Sequence, residues 1–362
     1  MDGWSHIKAA DFIDFNPRES LPKNTEVKKV AMECLQTFTR DVAGYEVAPF
    51  NGGTKFRNGD TIMARITPCL ENGKTAQVDF LGEDEIGCGS TEFIVMRAKA
   101  EISDKDFVYY LAISPFFRDI AIQSMIGSSG RQRVQQSVLD ATELFVPPLP
   151  KQIEIGRTLR TLDDKIANNA KINHHLEQMA QAIFTKLCCN CEQAVLSDIL
   201  TVCYGKDHKC LGDGQIPCYG SGGIMRHVDK ALYTGESVLI PRKGSLNNVL
   251  YVNEAFWTVD TMFYTQITRP NVAKFAYFIV RDLDLAGMNV GSAVPSMTTA
   301  VLNSLEIVLP SEGALATFEE NVTPMFLQME ANNNESMRLA ELRDALLPRL
   351  MSGELELPHA SK

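Results

Sequence analysis

Three polar loops hold the side chains of this chain best suited to recognition chemistry. The stretch "IGSSGRQRVQQ" (126–136) sets Ser128, Ser129, Arg131, Gln132 and Arg133 in and behind a flexible turn, and it contains no acidic residue. "YGSGGIMRHV" (219–228) places Ser221 in a Gly-rich turn ahead of Arg226 and His227, and "PRKGSLNN" (241–248) supplies Arg242, Lys243, Ser245 and Asn247. A guanidinium matches the O6/N7 edge of guanine, Asn and Gln amides match adenine, and hydroxyls, lysines and backbone amides hold phosphates. Such side chains suit DNA recognition. The same composition also serves ordinary solvated turns, so both readings stand on the loops alone.

Other chemistries find less support. Asn72-Gly73-Lys74-Thr75 resembles the end of a phosphate-binding loop, but Pro68 stands where the pattern needs Gly, and the strand-like "AQVDF" follows where a helix should. The chain contains no Asn-Pro-Pro-Tyr or Asp-Pro-Pro-Tyr stretch, no G-x-S-x-G elbow, no H-E-x-x-H and no EF-hand spacing. His174 and His175 are neighbours in a helical stretch and point to different faces, a poor arrangement for a metal. Cys188, Cys189 and Cys191, with Cys203, Cys210 and Cys218 downstream, show no paired C-x2-C spacing. They read as structural or incidental cysteines, with a metal site as the alternative. No catalytic centre or metal site is therefore expected.

Bulk properties set the frame. A length of 362 residues suits two or three domains, and 45% hydrophobic with 22% charged residues describes a folded protein. A formal charge of −10 argues against indiscriminate coating of nucleic acid but leaves room for local basic faces. The nine cysteines, an odd number, fit a reducing cytosol. Neither a basic n-region with an apolar run at the N-terminus nor an apolar run of about eighteen residues is visible, so a cytoplasmic location without a membrane span is expected.

The elements that must position the loops occur twice. "GDTIMARI", "GSTEFIV", "GSSGRQRV" and "LDATELFVPPLP" precede a helical run; "GESVLIPR", "VDTMFYTQI", "VGSAVPSM" and "LNSLEIVLP" precede another, in the same order. The late elements lie 163 positions apart, with Asp140 matching Asn303 and Pro147 matching Pro310. Strands are predicted at "GDTIMARI", "EFIVMRA", "ESVLIP", "NVLYV" and "MFYTQI", and short helices at "FVYYLAIS" and "FAYFIVRDL".

Each half ends in a helix with coiled-coil spacing. In the first, Leu162, Ile166, Asn169, Asn173 and Leu176 fall on alternating steps of four and three; in the second, Met329, Asn332, Ser336 and Leu339 do so. An antiparallel pairing would set Asn169 against Ser336 and Asn173 against Asn332, a polar layer able to fix register. Exposed asparagines beside a drifting stripe are the alternative. Pro324 is expected to kink the second helix or mark its start. A helix from Gln152 to Leu187 would span roughly 54 Å at 1.5 Å per residue, enough to hold two domains apart. Residues 311–347 hold seven acidic and two basic side chains, so the helices carry much of the negative charge.

"PPLPKQIEIGRTLRTLDDKIANNAKINHHLEQMAQAIF" resembles the central conserved helix of type I restriction–modification specificity (S) subunits, and "LRDALLPRLMSGEL" is similar to that family's ending. "ITPCLENGKTAQV", "GCGSTEFIVMRAK" and "GSSGRQRV" look like one target-recognition domain, and "IPCYGSGGIMRHVDKALYTGESVLIPRKGSL" with "FWTVDTMFY" looks like another. The resemblance covers nearly the whole chain in the family's order. It departs in "CCNC" after the central helix, in a looser second junction around Pro310, and in a second Gly-Ser loop, "VGSAVPSM", without arginines.

The resemblance implies an α+β fold with a pseudo-two-fold internal duplication: two globular target-recognition domains separated by two long antiparallel coiled-coil-like helices. The expected divisions are 1–150 and 190–310 for the target-recognition domains, 151–189 for the central helix, 311–355 for the C-terminal helix and 356–362 for a tail. It also implies a non-catalytic DNA sequence-specificity subunit for a bipartite double-stranded target. The expected partners are modification (methyltransferase) subunits, two of them, and restriction subunits. The chain itself would bind no cofactor; S-adenosylmethionine, Mg and ATP would sit on the partners. Lys55, Arg57, Arg65 and Lys74 join the loop residues as candidate DNA contacts, and the nine heptad positions above are the candidate spacer. A coiled-coil scaffold without DNA contact and a diverged self-contained DNA methyltransferase are the competing readings.

Overall fold

Each half of the chain opens and closes on the same short antiparallel ladder. Ser5–Lys8 pairs with Glu143–Val146 immediately before one long helix, and Cys191–Val195 pairs with Glu306–Pro310 immediately before the other. The computed structural model describes residues 3–187, 191–244, 246–285, 287 and 297–357. Ser245, Cys188, Cys189, most of "VGSAVPSM" and the end of the tail lie outside the described residues.

Between the first pair of strands lies the first globular domain, the expected first reader. Ile13–Phe15, Phe93–Ala98, Thr61–Ala64 and Thr75–Gln77 form one four-stranded sheet in that order. Glu46–Pro49, Glu26–Val30, Gly87–Gly89 and Thr54–Phe56 form a second. Every residue of Thr61–Ala64 is buried, as expected of a strand covered on both faces. The helix Lys105–Ile113 is capped by Asp104, whose Oδ1 accepts from the amides of Asp106 and Phe107 at 3.0 and 2.9 Å. Its residues from Phe107 to Ile113 join the core. The helix Pro115–Gln123 follows at once; its Pro-initiated start on Ser114 escapes the sequence reading.

The second reader is built on one six-stranded sheet. Its order is Leu200–Tyr204, Met262–Ile267, Tyr233–Pro241, Leu250–Thr258, Asp213–Gly220, Gly223–Val228. The helix Ala273–Asp282 packs its Phe275, Tyr277 and Phe278 into the core. All the strands and both short helices expected above are present, with ends shifted by a few residues.

The two long helices are Leu149–Lys186 and Glu312–Met351. The central helix therefore starts two residues before the expected boundary and stops three short of it; the C-terminal helix starts one residue late and ends four early. Pro150 sits in the first turn, where a missing N–H costs nothing, and Ser311 precedes the second helix with its Oγ toward the Ala314 amide. The C-terminal helix runs through Pro324 without interruption, so Pro324 does not mark its start. Burial of Val322 and Phe326 on either side offsets the backbone hydrogen bond that Pro324 cannot make.

The chain divides into two compact units, and the division cuts both helices. One unit is Met1–Ala170 with Asn332–Lys362; the other is Lys171–Ala331. The helices are thus not a separate layer: each unit contains one reader and half of each helix. Gly156 shows how closely reader and helix approach, since a Cβ there would lie 2.9–3.0 Å from Asp104 Oδ1, Asp106 Cβ and the Phe107 amide.

Within the first unit the helix halves pair antiparallel. Asn169 is buried, and its Nδ2 donates to Glu335 Oε2 (2.8 Å), Ser336 Oγ (3.2 Å) and the Asn332 carbonyl (3.3 Å). Leu162 and Ile166 are only half-buried; Asp163 takes the buried place between them. A carboxylate can occupy it because a cation and a hydroxyl are provided there, as described below. In the second unit, half-buried Asn173 donates to the Met329 carbonyl at 3.3 Å, and Leu176 and Met329 are half-buried. Leu339, in the first unit, is half-buried too.

Candidate nucleic-acid interface

In the first reader the loop after Pro115–Gln123 is a tight hairpin. Ile126 and Arg133 exchange backbone hydrogen bonds at 3.1 and 2.9 Å, and the Arg131 amide donates to Ser128 O at 3.0 Å. Gly127 (φ +138°) and Gly130 (φ +75°) take the turn positions other residues resist. Ser128, Ser129 and Arg131 are exposed at the tip, and Arg131 makes no ion pair among the described residues. Arg133 is different: it forks onto Glu92, Nε to Oε1 at 3.0 Å and Nη2 to Oε1 at 2.6 Å. Gln132 lends its carbonyl to the Thr67 amide at 3.0 Å.

The other basic candidates of this reader are engaged inside the fold. Arg65 donates to the Val134 carbonyl at 3.1 Å and so ties down the base of the hairpin. Lys74 donates to Met32 O at 3.0 Å, and Lys55 to Glu19 O at 2.7 Å. Arg57 grips Glu19 with two bonds of 2.7 and 3.0 Å, and Arg97 bridges Glu19 and Asp60 at 2.7 Å each. The Arg57 hydrogen bond, aided by Arg97, holds the Glu19 carboxyl at about 2, well below its ordinary 4.5. Composition counted these cations as available; local carboxylates and carbonyls consume them.

In the second reader the structure brings two of the sequence loops together. Asn248 Nδ2 donates to Ser221 O at 2.9 Å, and Gly244 (φ +84°) lies so near that a Cβ would come within 3.1 Å of Ser221 Oγ. Lys243 and Asn247 are exposed there. Arg242 donates to Asp260 O at 3.2 Å and stacks over Tyr204 at 5.3 Å. Tyr204, half exposed at 50%, is a candidate base-stacking surface that the sequence reading missed. Arg226 is turned inward to the carbonyls of Leu211 (2.7 Å) and His208 (3.1 Å), while His227 stays exposed on the edge strand. Met225 is the extra residue of a bulge, between the pairs Tyr219–Ile224 and Cys218–Arg226.

Each reader is fastened to its helices through charge and tyrosine. In the first unit Asp163, 6% exposed, receives Arg343 Nη1 on Oδ1 and Tyr110 Oη on Oδ2, both at 2.6 Å. Burial alone would pull the Arg343 guanidinium down; Asp163 and Asp344 more than reverse this and hold it firmly charged. Arg40 pairs with Asp164 at 2.7 Å and Arg160 with Asp106 at 3.1 Å. In the second unit Glu177 accepts from Tyr277 Oη at 2.8 Å and pairs with Arg281, which also bonds Gln181. Burial, then Glu177, push the Tyr277 phenol up to about 12. Lys274 bridges Glu236 and Glu319. None of these pairs announces itself in a hydrophobic pattern, because Asp and Arg are scored there as surface.

Among the described residues no cluster of three His, Cys, Asp or Glu could hold a metal, and no helix is long and apolar enough to cross a membrane. Two closed domains, each presenting a Gly-turned polar loop and each packed on half of the two long helices, make a duplicated fold. Residues 1–178, the first globular domain and most of the central helix, match the type I restriction modification DNA specificity domain. The chain is 29% identical over 167 residues to the type I restriction enzyme EcoEI specificity subunit of Escherichia coli, covering 44% of this chain and 28% of that protein. The EcoAI specificity subunit of the same organism is 30% identical over 159 residues, with 27% of its length covered. The chain thus spans little more than a quarter of those two relatives. The MjaIX specificity subunit of Methanocaldococcus jannaschii is 23% identical over 304 residues, 70% of this chain and 69% of that protein. In fold the chain is similar to the S subunit of a type I restriction–modification system from M. genitalium, with a TM-score of 0.61, 16% identity and 96% of each chain covered.

Proposed function

We propose that this chain is the DNA sequence-specificity subunit of a type I restriction–modification complex. Each reader takes one half of a bipartite double-stranded site, and the helix pair sets the gap between the halves and docks two modification subunits. The observation that carries this reading is the duplication itself: two separately closed readers, each with one exposed polar loop and each built onto half of the same helix pair. In the first reader the contacting group is Arg131 with Ser128 and Ser129; in the second it is Lys243, Asn247 and His227, with Tyr204 and Arg242 beside them.

The chain performs no methyl transfer on this reading. S-adenosylmethionine is bound by the modification subunits, and ATP and Mg by the restriction subunits that join them. The test is to map methylated adenines in cells carrying the complex. Two unrelated half-sequences at a fixed separation are expected; a single continuous motif would sink the reading. S-adenosylmethionine binding by the purified chain alone would instead favour a self-contained methyltransferase.

A further inference from the structure

The two repeats place different charges at equivalent positions. Central-helix residues 152, 155, 159, 163, 169 and 180 are buried, and so are 315, 318, 322, 326, 332 and 343 of the C-terminal helix, each 163 positions on. The reader helices align as well, "DFVYYLAI" (106–113) on "KFAYFIVR" (274–281). By this correspondence Asn169 and Asn332 are the same residue. Asp163, however, answers to Phe326, Arg343 to Ala180, Tyr110 to Phe278, Glu177 to Ala340 and Arg281 to Ile113. Phe326, Ala180 and Phe278 lie together in one apolar cluster of the second unit. Tyr109, the equivalent of Tyr277, has a buried hydroxyl without a partner among the described residues, as follows if Ala340 stands where Glu177 stands in the other unit.

A duplicated chain faces a competing assembly: its central helix could pair with the central helix of a second copy, and its C-terminal helix likewise. The asparagine layer does not oppose this, since it is nearly the same on both helices. We propose that the two acid–arginine pairs, Asp163–Arg343 and Glu177–Arg281, forbid such self-pairing and restrict the central helix to the C-terminal helix. At each native reader–helix junction one of these acids meets one of these arginines, beside further ion pairs: Arg40–Asp164, Arg160–Asp106 and Arg343–Asp344 in the first unit, Lys274–Glu319 and Arg281–Asp282 in the second. A pair of central helices would bring Asp163 of one copy and Glu177 of the other to one junction, with Ile113 and Ala180 where the arginines belong. A pair of C-terminal helices would bring Arg343 and Arg281 together, with Phe326 and Ala340 where the acids belong. Like charges meeting at one junction, buried at Asp163 and Arg343 and part-exposed at Glu177 and Arg281, reject the wrong pairing, whereas the native pairing sets each acid on an arginine. The consequence rests on the proposed function: two unlike readers stay in one subunit, so the half-sites stay unlike.

The test needs no DNA, so it stands apart from the test of DNA reading. The full chain is severed within 188–190, both pieces are co-expressed, and assemblies are weighed by native mass spectrometry. The unsubstituted pieces should give the unlike pair alone. Glu177→Arg makes the self-pair of the N-terminal piece complementary to Asp163 and sets a second guanidinium against Arg281 in the native pair. It should raise the ratio of self-pair to unlike pair at least tenfold, and should shift the intact chain toward a dimer in light scattering. The combination Asp163→Phe, Glu177→Ala, Arg281→Ile and Arg343→Ala gives both junctions the same four residues and should bring like and unlike pairs to comparable amounts. An unlike pair that stays exclusive in Glu177→Arg, with no gain of dimer by the intact chain, overturns the proposal, as does free self-pairing of the unsubstituted pieces.

Discussion

At the scale of single residues, the distinction that matters is between cations that are spent and cations that are free. Arg131 and Arg133 are two positions apart in one loop, yet Arg133 is neutralised by Glu92 and Arg131 is not. Arg131→Ala should therefore lose about 1–3 kcal/mol of discrimination at one half-site, the value of a bidentate base contact, and leave the other half-site untouched. Competition binding with each half-site altered in turn measures this; an equal loss on all sequences would mark Arg131 as a phosphate contact. Arg133→Ala should act through loop order, so Glu92→Gln should reproduce its effect, and a large difference between the two variants would contradict that. Glu19 gives a pH dependence. Its folded carboxyl titrates near 2 and its ordinary value is 4.5, so its contribution to the first reader is complete above about pH 4.5 and is lost as pH falls toward 2. Thermal melts across that window should show a shallower acid loss in Arg57→Ala than in the parent.

At the scale of elements, the buried Asp163–Arg343 pair decides how the helix halves of the first unit hold together. Arg343→Met leaves Asp163 with Tyr110 alone, a buried carboxylate missing its cation, and should cost about 3–5 kcal/mol. For a unit of this size that is a fall of on the order of 10 °C in Tm, read by calorimetry. Adding Asp163→Leu should recover most of the loss, since an apolar pair of similar volume replaces the ion pair at little net cost. A double variant as unstable as the single one would show that Asp163 matters for more than its charge. This pair also marks where sequence reading stops. The duplication, the strands from Thr61 to Ala64 and from Phe93 to Ala98, and the helix placing Asn169 opposite Ser336 were all legible, because each rests on a local period. Asp163 in place of Leu162 was not, because its burial depends on Arg343, 180 positions away, and on Tyr110 of the reader. That Lys55, Arg57 and Lys74 meet acceptors within the fold was not legible for the same reason: those acceptors, the Glu19 carboxylate and two backbone carbonyls, are distant in sequence.

At the scale of the whole molecule, the charge balance limits how the chain can hold DNA. Its formal charge is −10, and the candidate loops leave few cations uncommitted, chiefly Arg131 and Lys243, with Arg242 partly so. Each phosphate neutralised releases counterions and adds about −0.9 to the slope of log K against log salt. With Arg131 on a base, about two such contacts, Lys243 and Arg242, predict a slope of roughly −2 for the chain alone on its cognate duplex. A complex that also grips the backbone through other subunits should be markedly steeper, because its partners would supply the missing positive surface. Titrations of the chain and of the complex at several salt concentrations separate the two contributions. A slope steeper than about −6 for the chain alone would require a basic face that these loops do not provide. On the proposed function the shallow slope reflects a division of labour: a reader with few free cations would select sequence at little cost in non-specific binding, and partner subunits would supply the tight hold on DNA.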